Sequence, residues 1–302
     1  MLKTKALKKI FITTLTMFTI LTIYTIPTTN KSQNELRTNL EISDITSLPT
    51  NKVYLLNKNN YLVKVDIFLD GKTEEEKIKK IIDYLIVDND KNPINLNGYL
   101  PKNTKVLKID IKDNNLYIDF SKDFLNYDKE IEEKLITGLT YSVLEFSDIS
   151  SFSFTVDNNY LKGYSDKLTK NIGINNDYLL TSRNNINRVV VYYLDNNENT
   201  SYFVPVTKYL NDNREKIEII IDQLKNSNNN LTSIINDNLK LLDYYEEANV
   251  LFLNFNNYLL DNNSEITTKT LQTIAYSVFD NYDDINMVMF KVNNEQKEYF
   301  KR

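Results

Sequence analysis

The chain contains one internal repeat, which places a second copy of the same pattern about 135 residues after the first. The clearest identity is Tyr141-Ser142-Val143 against Tyr276-Ser277-Val278. Each copy is longer than a solenoid unit of roughly 20–50 residues and is long enough to enclose its own core. The sequence therefore predicts two related domains, copy one at residues 51–160 and copy two at 187–302, joined by a polar linker at 161–186.

Each copy opens with a predicted β-hairpin, in which a β-rich run, a polar turn and a second β-rich run follow one another. Pro205 lies in the return run of copy two and cannot donate to a β-ladder, so its strand is predicted to lie at a sheet edge or to end there. The runs and turns are 51–55, 57–60 and 61–69 in copy one, and 187–191, 195–201 and 202–206 in copy two.

A helix is predicted after each hairpin, because isoleucine and leucine recur at the i, i+3, i+4 and i+7 spacing of one helical face. Thr73 and Glu76 have the spacing of a capping box, so the helix of copy one is predicted to begin there. The apolar stripes are Ile78, Ile81, Ile82 and Leu85 in copy one, and Ile217, Ile220, Ile221 and Leu224 in copy two.

The second half of each copy is predicted to contain a strand pair, a helix and a short closing strand. Apolar and polar residues alternate across both strands of the pair, which is typical of a sheet with one buried face. The predicted order is ββαββαβ, an α+β fold whose helices cover one face of a mostly antiparallel sheet. The ranges are 107–111, 116–120, 129–146 and 152–156 in copy one, and 241–245, 250–255, 265–279 and 287–292 in copy two.

Composition excludes several kinds of chemistry. The chain has no His and no Cys, so a Cys/His zinc site, a thiol nucleophile and a Ser–His–Asp relay are impossible. The net charge of −5 gives no broad basic surface for nucleic acid. Only five glycines occur, and none forms a phosphate-binding loop motif. A carboxylate-based enzyme or a Ca²⁺ or Mg²⁺ site stays possible.

The amino terminus has the pattern of an export signal. Residues 1–9 carry four lysines and no acid, and an uncharged run follows from Ile10 to Ile26, close to the minimum length that spans a bilayer. This charge asymmetry predicts a basic cytoplasmic flank at 1–9 and extracytoplasmic domains. The run is a transmembrane anchor or a cleaved signal peptide, and the absence of an A-x-A site favours the anchor. Residues 27–50 are predicted to be a linker.

One segment of copy one carries a family resemblance. Leu100-Pro101-Lys102-Asn103-Thr104 leads into a hairpin that ends in Asp119-Phe120-Ser121-Lys122-Asp123-Phe124, and this pattern resembles the GerMN domain. Copy two keeps the order of elements but has Asn254-Phe255-Asn256 at the second position and lacks the Leu-Pro entry. The resemblance implies a fold similar to ring-building motifs, and a structural part in the channel between mother cell and forespore.

The resemblance also bears on membrane attachment. Tandem proteins of this family are commonly lipoproteins attached through a cysteine, which this chain lacks. Attachment is therefore expected through the segment from Ile10 to Ile26.

The carboxylate clusters favour structural roles, and we predict no catalytic residue, cofactor or metal ligand. Asp119 and Asp123 form a possible acid/base or calcium pair, but Asp119 alternates with predicted core residues and suits a turn or cap hydrogen bond. The runs 74–76 and 128–133 open helices, where negative charge is favourable. Asp88-Asn89-Asp90 lacks the remaining ligand spacing of a calcium loop.

Tyrosine is abundant, with 21 residues, and two strands carry adjacent pairs. Tyr192-Tyr193 and Tyr244-Tyr245 each place one ring on either face of a strand, so one ring of each pair is free to be exposed at an interface. Codon bias together with β-propensity is the simpler explanation.

These patterns predict a non-catalytic, membrane-tethered envelope protein that assembles with other envelope or sporulation-channel proteins, with homo-oligomerisation possible. The alternative is an extracytoplasmic ligand- or peptidoglycan-binding module, which predicts a concave site lined by Tyr or Asn. A carboxylate-dependent wall hydrolase is a third hypothesis, which predicts two converging acids and loss of activity in Asp119→Asn.

Overall fold

A computed structural model describes residues 50–146, 149–177, 187–197 and 200–302. They fall within one compact unit, Pro49–Arg302, built on a continuous hydrophobic core. The predicted basic flank, the segment from Ile10 to Ile26 and residues 178–186 of the predicted linker lie outside the described residues. Within the described ranges, no helix is long and apolar enough to cross a membrane.

Copy one has the predicted order of elements, with one short additional strand, β3. Thr73 caps the first helix, since its side chain accepts a hydrogen bond from the Glu76 amide at 3.2 Å. The second helix begins with a 3₁₀ turn at Lys129–Ile131 and becomes α-helical at Glu132. The bounds are β1 Thr50–Asn57, β2 Leu62–Phe68, α1 Glu74–Leu85, β3 Leu96–Asn97, β4 Val106–Lys112, β5 Asn115–Phe120, α2 Glu132–Leu144 and β6 Ser151–Val156.

Copy two repeats this order and adds a strand at its end. Pro205 lies inside β8, at the edge of a two-stranded hairpin, as its missing N–H requires. The bounds are β7 Asn187–Asn197, β8 Thr200–Leu210, α3 Lys216–Lys225, β9 Leu241–Glu247, β10 Val250–Phe255, α4 Thr268–Phe279, β11 Met287–Val292 and β12 Glu295–Lys301.

The prediction that each copy has one mostly antiparallel sheet, covered by helices on one face, is wrong about the number and arrangement of the sheets. Each copy has two separate sheets. The first is the opening hairpin, to which β3 adds a third strand in copy one; the second is a mixed sheet ordered β4-β5-β6 in copy one and β12-β11-β10-β9 in copy two. The closing strand runs parallel to its neighbour in both copies, since β5 pairs parallel with β6 and β10 with β11. The second helix contacts both sheets, β1 and β6 for α2, and β7 and β11 for α4.

The composition of the second helix explains this layering. Every residue of α2 from Leu135 to Val143 is buried, including Gly138 and the small polar residues between the aliphatic ones. A helix that is buried around its whole circumference needs cover on both sides, which one sheet cannot give. Gly138 is required at the contact with the loop after β3, because a β-carbon there would lie 2.6 Å from the Tyr99 ring.

Strand β12 was not expected from the sequence, because Glu295–Lys301 is mostly charged. It pairs antiparallel with β11 through a turn at Asn293 and Asn294, both in the left-handed region with φ of 48° and 72°. Phe300 is its inward residue and packs edge-to-face on Tyr276 of α4, with ring centroids 5.7 Å apart. One aromatic residue therefore fixes the register of an otherwise polar strand.

The predicted linker is packed along its described part, 161–177, rather than lying free. Ile174 is fully buried, and Leu168 exchanges two backbone hydrogen bonds with Phe152 of β6. The backbones of Asp177 and of Lys208 in β8 form an isolated parallel β-bridge. The segment therefore packs on copy one and then on the hairpin of copy two, and β2 and β8 lie in contact.

Candidate functional site at the junction of the two copies

The shared Tyr-Ser-Val segment lies on the second helix of each copy and binds the opening hairpin. The Tyr54 amide donates to Ser142 Oγ at 2.9 Å, and the Tyr192 amide donates to Ser277 Oγ at 3.0 Å. All four residues are buried. These equivalent hydrogen bonds fix each hairpin on its helix in the same register.

An acid three residues after each serine receives the phenol of the same tyrosine. Tyr54 donates to Glu145 Oε1 at 3.0 Å, and Tyr192 donates to Asp280 Oδ2 at 2.5 Å. Burial, reinforced by the neighbouring carboxylates, raises the pKa of both tyrosines well above the ordinary value. The phenols therefore stay protonated and act as fixed donors to the acids.

One lysine of copy one joins the two acids. Lys64 Nζ lies 3.3 Å from Glu145 and 3.5 Å from Asp280, and all three side chains are nearly enclosed, at 11–14% exposed. Lys170 Nζ adds a second cation, 2.6 Å from Glu145 Oε1. Burial alone would raise the pKa of Glu145, but Lys64 and Lys170 outweigh it and lower that pKa to about 2. The Glu145 carboxylate therefore stays ionised at neutral pH.

The charge cluster forms the wall of a cleft of about 290 Å³. The Arg302 guanidinium closes one side, donating at 2.6 Å to the carbonyls of Phe279 and Tyr282 at the end of α4. The cluster thus consists of charges that neutralise one another and a guanidinium that caps a helix, which is a structural arrangement. The cleft is lined by Lys52, Lys64, Glu145, Lys170, Tyr276, Phe279, Asp280, Asp283, Phe300, Lys301 and Arg302.

Asn175 joins the two hairpins at a second point. Its amide nitrogen donates at 2.8 Å to the carbonyls of Leu62 in β2 and Pro205 in β8, and its oxygen accepts from the Leu62 amide at 3.0 Å. Lys134 Nζ donates to the same oxygen at 3.0 Å. Asn175 adopts a left-handed conformation, with φ of 45°, that allows this geometry. The buried side chain of Asn175 therefore links β2 and β8 by hydrogen bonds of the kind that backbone groups make in a β-ladder.

A third polar contact holds the turn of the first hairpin. Asp195 of β7 is 2% exposed and accepts from the side-chain amides of Asn57 at 2.5 Å and Asn59 at 3.1 Å. Buried polar groups that are hydrogen-bonded in this way make a contact specific, because a shifted arrangement would leave them unpaired. The three contacts together fix the relative orientation of the two copies.

The predicted carboxylate pair is not brought together as a reactive pair. Asp119 is 3% exposed, and its Oδ1 accepts from Thr155 Oγ1 at 2.5 Å and from the Asn158 amide at 2.9 Å. Asp123 instead accepts from Ser121. The prediction of a turn hydrogen bond for Asp119 is confirmed.

Copy two repeats that turn with an amide. Asn254 accepts from the Asn294 amide at 2.8 Å and donates to the Asn294 side chain at 2.8 Å. Asn254 therefore keeps the hydrogen bond of this turn without the charge.

The other acidic clusters also have structural partners. Asp88 pairs with Lys102 at 2.8 Å, and Asp128 caps the 3₁₀ turn through the Glu130 amide at 3.0 Å. Glu132 accepts from Tyr127 at 2.5 Å. Among the described residues, no group of three acids is arranged to hold a metal ion.

The two tyrosine pairs behave differently. Tyr245 is 41% exposed, as expected for one ring of the second pair. The expectation of an exposed ring is wrong for the first pair, since Tyr192 and Tyr193 are both buried. The Tyr193 hydroxyl donates at 2.8 Å to the carbonyl of Gln223 in α3, whereas Tyr192 donates to Asp280 beyond α4. Each face of β7 is therefore covered at this point.

Sequence reasoning missed the residues of the junction. Glu145 and Asp280 each follow the repeated serine by three positions, so comparison of the copies carried a signal for both. For Asn175 and Lys64 the sequence has no such signal, because Asn175 lies in the linker and bonds to both copies, and Lys64 contacts one acid from each copy.

Comparison with known proteins agrees with this architecture. The profile of the Germane family, described as "Sporulation and spore germination", matches residues 52–162 and 190–298, once in each copy. The chain therefore belongs to the Germane family and has a role related to sporulation or spore germination. The resemblance to the GerMN domain is confirmed.

Two relatives cover most of the chain. Spore germination protein GerM of Bacillus subtilis (strain 168) is 28% identical over 294 residues, which span 88% of this chain and 78% of GerM. The solved structure of the tandem GerMN domains of the sporulation protein GerM from Bacillus subtilis superposes with a TM-score of 0.74 at 27% identity. That match covers 84% of this chain and 96% of the solved one. The tandem arrangement is therefore shared with GerM.

Proposed function

We propose that this chain is a non-catalytic assembly component of the spore-former envelope, in a channel complex between mother cell and forespore. In this proposal the segment from Ile10 to Ile26 tethers it to the membrane, with its N-terminus cytoplasmic and both copies outside. Other envelope and channel proteins are its partners, and it binds no nucleic acid.

The observation that carries the proposal is the buried junction. Lys64 of copy one is shared by acids from both copies, and Asn175 bonds to the backbones of both hairpins. A chain whose copies served only as separate binding modules would not need such a contact, whereas an assembly component benefits from surfaces held at fixed spacing. The solved tandem of GerM supports the same conclusion.

The experiment is affinity capture of the full chain from membranes of sporulating cells, followed by identification of co-purifying proteins. Wild type is expected to retain channel components, and Lys64→Met is expected to retain fewer of them at equal abundance, because the surfaces lose their fixed relation. The control is Lys79→Met, at an exposed ion pair on α1, and it is expected to match wild type. Capture of no channel component by the wild-type chain would overturn the proposal.

A second candidate function is binding of a peptidoglycan fragment or another extracytoplasmic ligand. The observation in its favour is a cleft of about 600 Å³ whose lining is mostly amide and carboxylate side chains, as a polar sugar or peptide requires. Saturable binding of soluble muropeptides, measured by calorimetry and lost in Asn97→Leu, would support it. Flat titrations of the wild-type chain would exclude it. The lining residues are Leu56, Asn57, Lys58, Asn60, Asp88, Asn89, Asp90, Asn95, Leu96, Asn97 and Gly98.

A further inference from the structure

The outer face of the mixed sheet in copy two is a grid of three cross-strand rows. Each row contains one outward residue from β9, β10, β11 and β12 in turn, on the side facing away from α4. The rows are Glu247–Val250–Met287–Lys301, Tyr245–Phe252–Met289–Tyr299 and Asp243–Asn254–Lys291–Gln296.

The middle row is apolar and partly exposed. Tyr245 is 41% exposed, Tyr299 is 54% exposed, and Phe252 and Met289 are half-buried without packing on the hydrophobic core. Tyr245 and Phe252 stack with ring centroids 4.5 Å apart. With Val250 and Met287 beside it, the row forms a contiguous apolar patch, which on a soluble surface marks an interaction site.

Copy one lacks this patch at the equivalent positions. Its corresponding middle row is Asp110–Tyr117–Ser153, and the next row is Lys108–Asp119–Thr155. Tyr117 is the equivalent of Phe252 and directs its hydroxyl to Thr155 Oγ1 at 2.6 Å. The fold therefore does not require an apolar outer face, and the patch is particular to copy two.

The charges around the patch are segregated by strand. Glu247 and Asp243 lie on β9, at one edge of the sheet, whereas Lys301 lies on β12, at the other edge. Lys291 of β11 lies over the middle row, where its Nζ donates to the Tyr245 hydroxyl at 3.0 Å. The face therefore has an acidic edge and a basic edge, and the apolar row runs from one to the other. Such a face is complementary to the same face of a second copy that is rotated by half a turn about an axis parallel to the strands.

We propose that the outer face of β9–β12 binds the same face of a second copy of this chain, about a two-fold axis parallel to the strands. In that arrangement β9 lies over β12 of the second copy. Glu247 then faces Lys301 of the second copy, and Phe252 faces Met289 of the second copy. An axis across the strands would instead set Glu247 against Asp243, so the charges select one arrangement.

The size of the face sets the strength of this contact. Four strands at about 4.8 Å spacing and six residues at about 3.3 Å rise give a face of roughly 20 by 20 Å. Such a contact lies at or below the lower limit of specific interfaces, so it dimerises weakly and acts where the chain is concentrated, as on a membrane. It is a property of the chain alone and does not depend on the proposed channel role.

Because the chain has no native cysteine, thiol cross-linking is a clean test. Facing residues of stacked sheets lie about 10 Å apart, beyond the reach of a disulfide, so the reagent is a bifunctional thiol cross-linker with a spacer of about 5 Å. In the full chain in membranes, Glu247→Cys/Lys301→Cys is expected to form covalent dimers with it, whereas within one chain the two positions are three strands apart, about 14 Å, too far for an internal link. The single variants Glu247→Cys and Lys301→Cys are the controls and are expected to stay monomeric, because each cysteine then faces a native residue of the second copy. Equal cross-linking of the double and single variants, or none in any of them, would overturn the proposal.

Charge exchange distinguishes a second copy from any other partner. Residues 49–302, the compact unit, are measured by sedimentation at concentrations up to about 1 mM. Glu247→Lys and Lys301→Glu are each expected to weaken dimerisation about tenfold, and an equal mixture of the two is expected to restore it, because opposite charges then face across both ends. A wild-type unit that stays monomeric, or a mixture no stronger than its components, contradicts the proposed dimer.

Discussion

Glu145 and Asp280 occupy equivalent positions in the two copies and share one cation, Lys64, across the junction. Each also accepts the phenol of the tyrosine at the equivalent position of its own hairpin. Each copy therefore contributes one acid–tyrosine pair to the junction, but a single lysine, from copy one, contacts both acids. This asymmetry makes Lys64 the residue on which the junction depends most.

Replacing Lys64 by methionine should lower the free energy of unfolding by about 3 kcal/mol, because it leaves two nearly enclosed carboxylates facing a neutral side chain. Urea denaturation of residues 49–302 measures this change. Lys79→Met is the control, since Lys79 and its partner Glu75 are 49% and 57% exposed, and such a surface pair contributes less than about 1 kcal/mol. Similar losses in the two variants would show that the junction is not a special site.

Stability should fall in acid through Glu145. Its pKa is lowered to about 2 in the folded chain from an ordinary value of 4.5, so the unfolded chain binds the proton more readily. The contribution of this carboxylate is complete above the ordinary value and is lost as pH falls from about 5 toward 2, up to about 3 kcal/mol.

The comparison of wild type with Glu145→Gln isolates that contribution. The variant is expected to be less stable at neutral pH and to show a shallower loss between pH 5 and pH 2, followed by thermal unfolding at each pH. Parallel curves for the two proteins would mean that Glu145 is not the group responsible.

The side-chain amide of Asn175 should stabilise the folded chain by about 1–3 kcal/mol, since removing it leaves the buried backbone N–H of Leu62 and two carbonyls without their partner. Asn175→Gly tests this, because glycine keeps the left-handed conformation and removes only the side chain. Asn60→Gly is the matched control: Asn60 is also left-handed, with φ of 59°, but its side chain is exposed. A near-neutral effect at both positions would contradict the bridging role.

Asp119 should tolerate an amide better than truncation. Asp119→Asn retains the oxygen that accepts from Thr155 and Asn158, as Asn254 does in copy two, so a loss under about 1 kcal/mol is expected. Asp119→Ala leaves those donors unpaired and should cost about 2 kcal/mol. Calorimetric unfolding of both variants measures the difference, and equal losses would indicate that the charge matters rather than the hydrogen bonds.

Much of the fold could be predicted because the spacing of apolar residues within short segments indicates the helices and strands. The stripe at Ile78, Ile81, Ile82 and Leu85 is buried as expected, and the alternation in β5 places Leu116 and Ile118 inward. Strand β12 was not predicted, because Phe300 is its one inward residue and the strand has no alternation of apolar and polar residues.

The sequence by itself determined the two copies, the order of their elements and the local role of Asp119, because these depend on residues close together in the chain or on comparison of one copy with the other. Only the tertiary structure decided that each copy has two sheets, that Lys64 lies between Glu145 and Asp280, and that an apolar row crosses the outer face of β9–β12. Such contacts join segments far apart in the chain, and no local period or propensity encodes which distant partner a side chain meets.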